Sequence, residues 1–195
     1  MPQLDDVVRA RARALATEVL ANGWDGPPFD MEVLASFVDL EVRHLQSLGD
    51  GREAALDGRR LLVADGTSAQ RRRFSIAHEI AHTLVSDACL PGTCGPGEVE
   101  RLCNVAAAEL IIPASTLDTA VAGDDWGLEV ALRVASTFGV SFEVCLRRLG
   151  RLARGDVVDH RLRLGSVMRR TTPYRERVVG VKARAPTVPA LRVQQ

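Results

Sequence analysis

The stretch "FSIAHEIAHTLV", residues 74–85, constrains this chain more than any other. It places His78 and His82 inside an otherwise apolar run. Burying a polar side chain there without a partner costs roughly 2–7 kcal/mol, so the two imidazoles need a common reason to be present. On a helix, residues four apart share one face, so both point at the same spot. One metal ion at that spot satisfies both. Glu79 follows the first histidine directly, which sets its carboxylate beside the spot but off the shared row. His-Glu-x-x-His on a helix is the spacing used in zinc peptidases. In them zinc lowers the pKa of a water to about 7, and the glutamate takes the proton as hydroxide attacks a carbonyl.

Two histidines do not complete such a site, because catalytic zinc usually has three protein ligands and an open fourth position. After the turn-rich stretch "SDACLPGTCGPG" (86–97), the Ala-rich segment "EVERLCNVAAAELIIP" reads as a helix stopped by Pro113. It offers Glu98, Glu100 and Glu109 as third ligands. Asn104 lies one turn after Glu100, so one could ligate while the other orients a ligand histidine. His44 and His160 stand alone and read as surface or internally satisfied histidines. Cys89, Cys94, Cys103 and Cys145 form no CxxC pair and are too few for a disulfide scaffold. Free thiols are expected, with Cys89 and Cys94 at the surface rather than on the metal.

Upstream, "LDDVVRARARALATEVLANG" has helical apolar spacing at Val7, Ala10, Leu15, Val19 and Leu20 and an end signal at Asn22-Gly23. "FDMEVLASFVDL" reads as a shorter helix capped by Asp30. "EVRHLQSL" alternates as a strand, and "EAALDG" with "RRLLVADG" suggests a hairpin turning at Asp57-Gly58. The motif helix spans Gln70 to Val85. Downstream, "LEVALRVASTFGVSFEVCLRRLGRL" gives two helices around a break at Phe138-Gly139-Val140, with Ser141 as cap. That is helix-turn-helix spacing, which an ordinary helical hairpin packed on the body also satisfies.

The net charge of zero conceals a split, since residues 147–195 carry 13 basic and 3 acidic side chains. An acidic partner is implied, either nucleic acid or the body of this protein. The start, "MPQLDDVVRARARAL", has no apolar signal core and no apolar run approaches the ~18 residues of a membrane span, so a cytoplasmic protein is expected. The end, with Pro186 and Pro189 and no periodicity, reads as disordered.

The segments "RRRFSIAHEIAHTLV", "ERLCNVAAAELIIP" and "ALRVASTFGVSFEVCLRRLGRL", in this order and spacing, resemble the ImmA/IrrE family of bacterial metallopeptidases over roughly residues 50–155. The resemblance implies an α+β, gluzincin-like fold with N-terminal helices, a small antiparallel sheet, the motif helix and a ligand helix. It implies Zn2+ held by His78, His82 and Glu100, with Glu79 as the base and Asn104 nearby. Cys103 stands where alanine is more usual, as in the radiation-response regulators of the family. The implied activity is cleavage of a specific helix-turn-helix repressor of the XRE type, releasing a stress, mobile-element or phage regulon.

Spacing also favours Glu100 over Glu109. Seventeen residues separate His82 from Glu100, enough to finish one helix, turn, and return the next helix's first turn to the metal. Glu109 lies about 13 Å further along the helix. The chain divides into a peptidase domain (1–123), a helix-turn-helix-like segment (124–155) and a basic extension (156–195). Two other readings compete with the peptidase. One is a DNA-binding regulator using the 128–152 helices and basic tail; the other is an antitoxin-like protein that acts by binding alone. For oxyanion stabilisation besides zinc, the only tyrosine, Tyr174, and His160 are the side chains to consider.

Overall fold

The computed structural model describes residues 3–49, 51–89, 93–121 and 127–155, the last six as backbone. Their elements run α1 (Leu4–Ala21), α2 (Met31–Phe37), β1 (Glu41–Leu45), β2 (Ala54–Asp57), β3 (Arg60–Ala64), α3 (Ala69–Ser86), α4 (Pro96–Ile111), α5 (Ala114–Val121), α6 (Leu128–Thr137) and α7 (Phe142–Gly155). The expectations for 156–195, including the basic extension, its disordered end, His160 and Tyr174, lie outside the described residues.

Helix α1 ends where Asn22-Gly23 signals it. Gly23 has φ +87°, its N–H bonds Leu20 O, and the Trp24 N–H reaches back to Val19 O. This is a Schellman cap, and it needs a residue at ease in the left-handed region. The buried face is Val8, Ala12, Leu15, Ala16 and Val19, rotated from the expected row: Ala10 is exposed, while Val7 and Leu20 are half-buried. Alanines at 12 and 16 let the neighbouring helix approach closely, so they occupy core positions that a scan for large apolar side chains assigns elsewhere. Helix α2 starts at Asp30, whose carboxylate accepts from the Glu32 N–H at 2.8 Å.

The sheet corrects one expectation. Its order is β1-β3-β2, with β2 antiparallel to β3 but β1 parallel to it, so it is mixed rather than antiparallel. β2 and β3 form the expected hairpin, but it turns at Gly58-Arg59, one residue past the expected Asp57-Gly58, because Asp57 still pairs in β2; Gly58 has φ +60°. β3 then inserts between β2 and β1. The eight residues between β1 and β2 easily bridge the ~10 Å of two strand spacings, and alternation within a strand carries no information about its neighbours.

Helices α3 and α4 pack on each other at the centre. Ser68 caps α3 by accepting from the Arg71 N–H; the helix buries Ile76, Ala77, Ile80, Ala81 and Val85 and leaves the His78/His82 row on its other side. Helix α4 starts at Pro96 behind Gly95 and is buried nearly throughout from Leu102 to Ile111. Its run Ala106-Ala107-Ala108 permits the close approach.

The two downstream helices form where expected, and Ser141 caps α7 by accepting from the Val144 N–H. Their buried side chains, among them Val130, Val134, Phe138, Cys145 and Leu149, belong to the same core as α1 to α4. The turn between them is fixed from below: Arg73 of α3 donates to Phe29 O and Gly139 O. Gly139 has φ +58°, and a Cβ there would collide with the Arg73 guanidinium. Arg148 of α7, 1% exposed, pairs with Glu109 of α4 at 2.8 Å and donates to Ile112 O at 3.0 Å. Arg13 of α1 joins Glu109 at 3.1 Å. This helical hairpin is built into the body.

Candidate metal centre

Helix α3 delivers two imidazoles and α4 delivers one carboxylate to a single point. His78 Nε2 lies 3.1 Å from Glu100 Oε2, and His82 Nε2 lies 3.6 Å from Glu100 Oε1. One ligand atom from each of the three lies within 4.8 Å of the others. The imidazoles meet edge to face with centroids 5.1 Å apart. Two ligands at ~2.1 Å from a tetrahedral ion stand about 3.4 Å apart, and the two nitrogen–oxygen separations, one to each carboxylate oxygen, lie on either side of that value. Two neutral nitrogens and one carboxylate are also the donor chemistry that zinc accepts. The residues fit the metal.

The centre lies in an open groove of about 870 Å³, with Glu79, Phe74, Ser75 and Asn104 in its lining together with Glu53, Ala54 and Leu56 from the β2 side. Glu79 is half-buried and stands next to, not within, the three-residue cluster. Asn104 uses its amide on its own helix, donating to the backbone oxygen of Glu100 at 2.9 Å. It does not orient a histidine through that bond, because an asparagine four residues on reaches the preceding turn's carbonyl first.

The other candidates go elsewhere. Glu98 pairs with Arg101 at 3.4 Å on the outer face. Glu109 is 1% exposed and held by Arg148 and Arg13. His44 is exposed between Glu32 and Asp65. Cys103 is fully buried; burial first, then the Glu100 and Glu79 carboxylates, push its thiol up to about 12. It remains a protonated packing residue. The expectation of free thiols fails at Cys89 and Cys94, which form a disulfide across the α3–α4 connection, with Cα atoms 5.9 Å apart. They stand five residues apart in sequence, and the distance between their Cα atoms is within bridging reach. Bridged, neither supplies a thiolate to the metal.

Glu53 was not legible from sequence. It accepts from Ser75 Oγ at 2.9 Å and pairs with Arg71 at 3.5 Å, which ties the lip of the groove at β2 to α3. Phe74 had a signal: it stands four residues before His78, on the row of the histidines, with ring centroids 6.3 Å apart.

A solved Mycobacterium tuberculosis transcriptional regulator shares the fold, with a TM-score of 0.55 and 19% identity over 77% of this chain and 52% of that protein. The present chain thus spans about half the length of that relative. Comparison with curated proteins gives no match. The model of the IrrE N-terminal-like domain, Peptidase_M78, matches residues 37–150, which include both helices of the metal centre and run on into α7. With more than half of its residues matched, the chain belongs to the IrrE N-terminal-like (Peptidase_M78) family.

Proposed function

We propose that this protein is a zinc-dependent endopeptidase of the cytoplasm, and that it inactivates a helix-turn-helix repressor of the XRE type by cutting it. The observation that carries the reading is the convergence of His78, His82 and Glu100 with Glu79 beside them in one open groove. His78, His82 and Glu100 would hold zinc, which when bound would supply Lewis acidity toward a carbonyl oxygen and a water. Glu79 is the general base: it takes the proton of the attacking water and returns it to the leaving amine. The groove runs beside β2, an edge of the described sheet, which offers backbone hydrogen bonds to an extended polypeptide. Cleavage derepresses a stress or mobile-element regulon. Among the described residues no helix is long and apolar enough to cross a membrane.

A DNA-binding or purely binding role leaves this convergence without a use. In addition, α7, the helix that would read DNA, buries Cys145, Leu146, Arg148 and Leu149 in the body.

The test is Glu79→Gln, with a helix-turn-helix repressor encoded beside this gene, where the genome has one there, as substrate. Elemental analysis should find one zinc in both wild type and variant, while cleavage falls by about 10² or more. Cleavage by the variant at the wild-type rate overturns the proposal. An adjacent repressor that remains intact with wild type removes that substrate and leaves the metal centre standing.

A further inference from the structure

Phe74 and Asn104 line both the metal groove and a neighbouring side hollow of about 240 Å³. Its walls come from three helices: Phe74 from α3, Asn104 and Ala108 from α4, and Glu143, Val144 and Arg147 from α7. We infer that this hollow is the subsite for an uncharged, mid-sized apolar side chain of the substrate polypeptide, such as leucine, next to the bond that is cut. The inference rests on the peptidase reading and names the side chain that the same site selects.

Three observations point to that occupant. First, the hollow shares two lining residues with the metal groove, so a chain lying at the metal reaches it with a neighbouring side chain. Second, its polar rim is already engaged: Arg147 pairs with Glu143 at 2.8 Å, and the Asn104 amide donates to its own helix. No net charge is offered to a guest, so a lysine or glutamate would lose its hydration without a counter-charge. The apolar surfaces of Phe74, Ala108 and Val144 remain. Third, the size fits, since a dry apolar cavity of roughly 150 Å³ already accepts benzene. In this reading the helices of the 128–152 segment serve recognition, but of a polypeptide side chain: α7 closes one wall of the cleft.

Peptidyl hydroxamates test this without relying on turnover. Two compounds, identical except for glycine or leucine beside the hydroxamate, are compared on the zinc-loaded protein by calorimetry, with a phenylalanine analogue as a third ligand for the widened variant. Leucine should bind tenfold tighter or more, the value of burying a leucine side chain. In Val144→Trp, which fills the hollow, that ratio should fall to near one; in Val144→Ala, which widens it, phenylalanine should overtake leucine. Because the ratio is read within each variant, a partial loss of metal acts on both ligands alike. If glycine hydroxamate binds wild type and leucine adds less than twofold, or if the leucine advantage survives Val144→Trp, the subsite is wrong and the metal centre stands. If neither compound binds zinc-loaded wild type, the peptidase reading fails and the subsite with it.

Discussion

Glu100 keeps 58% of its side chain exposed, whereas Glu109, nine residues later on the same helix, keeps 1%. The first faces two imidazoles, the second two guanidinium groups. Removing each should therefore fail differently. Glu100→Ala should lose zinc and stay folded, because an exposed carboxylate contributes little to packing. Glu109→Gln should keep the ligands but lower stability by about 3–5 kcal/mol, because it leaves the Arg148 guanidinium buried without its counter-charge. Elemental analysis and urea unfolding separate the two outcomes, and the opposite pattern would reassign the third ligand. A second residue-scale effect is alkaline. Cys145 is fully buried, its Sγ donates to Ala131 O at 3.2 Å, and burial pushes the thiol up to about 12. The unfolded chain releases that proton near pH 8.5 and the folded one does not. Stability is therefore intact below about pH 8.5 and declines above it by about 1.4 kcal/mol per unit until the folded pKa is reached. Urea midpoints at pH 8 and pH 10 should show the decline, and Cys145→Ala should remove about half of it, because the Cys103 thiol is raised alike.

At the scale of elements, the ligand row, the caps at Asp30 and Ser141 and the ending at Gly23 were legible because each depends on residues within one or two turns. Strand order was not, because the pairing of β1 with β3 is decided by what β3 excludes from the core, and no local pattern records it. The Cys89–Cys94 bridge was missed for a related reason: a spacing of five leaves the distance between the two Cα atoms open. That bridge lies seven residues after His82 and six before Glu100, yet α3 and α4 are already held by the packing of Ile80, Ala81, Ala106 and Ala107. Closing so short a loop restricts the unfolded chain by about 2 kcal/mol on the chain-entropy model. Reduction with a phosphine, which offers no thiolate to compete for zinc, should therefore lower the unfolding free energy by about that amount and leave one zinc bound. Loss of zinc on reduction would show that the bridge, rather than the helix pair, sets the ligand geometry. A reducing compartment keeps such a pair as thiols, so the smaller stability is the one that applies there.

At the scale of the whole molecule, the downstream helices bear on whether the N-terminal part is a unit by itself. The sequence shows two helices and a glycine turn there, which fits a separate nucleic-acid module and a packed hairpin equally. What decides is long-range. Arg148 reaches from α7 to Glu109 and Ile112 O, Arg73 holds the turn, and Phe138 meets Phe29 with ring centroids 6.3 Å apart. None of these pairs is closer than 36 residues in sequence, so no window on the sequence contains both partners. The consequence is that a chain ending at Val121 should not be a smaller native peptidase. It would expose the apolar surfaces that α6 and α7 cover and leave the Glu109 carboxylate, facing the core, with Arg13 as its remaining cation. Burying a leucine or phenylalanine is worth about 1.5–3 kcal/mol each, and Val130, Val134, Phe138, Leu146 and Leu149 are all lost together. Together that is about 7.5–15 kcal/mol, comparable to the whole 5–15 kcal/mol of a typical domain. The truncated chain should give a broad, non-cooperative urea transition and substoichiometric zinc, against one sharp transition and one zinc for the full chain. A cooperative transition with full zinc in residues 1–121 would establish the N-terminal part as an independent domain and return α6 and α7 to the role of a separate module.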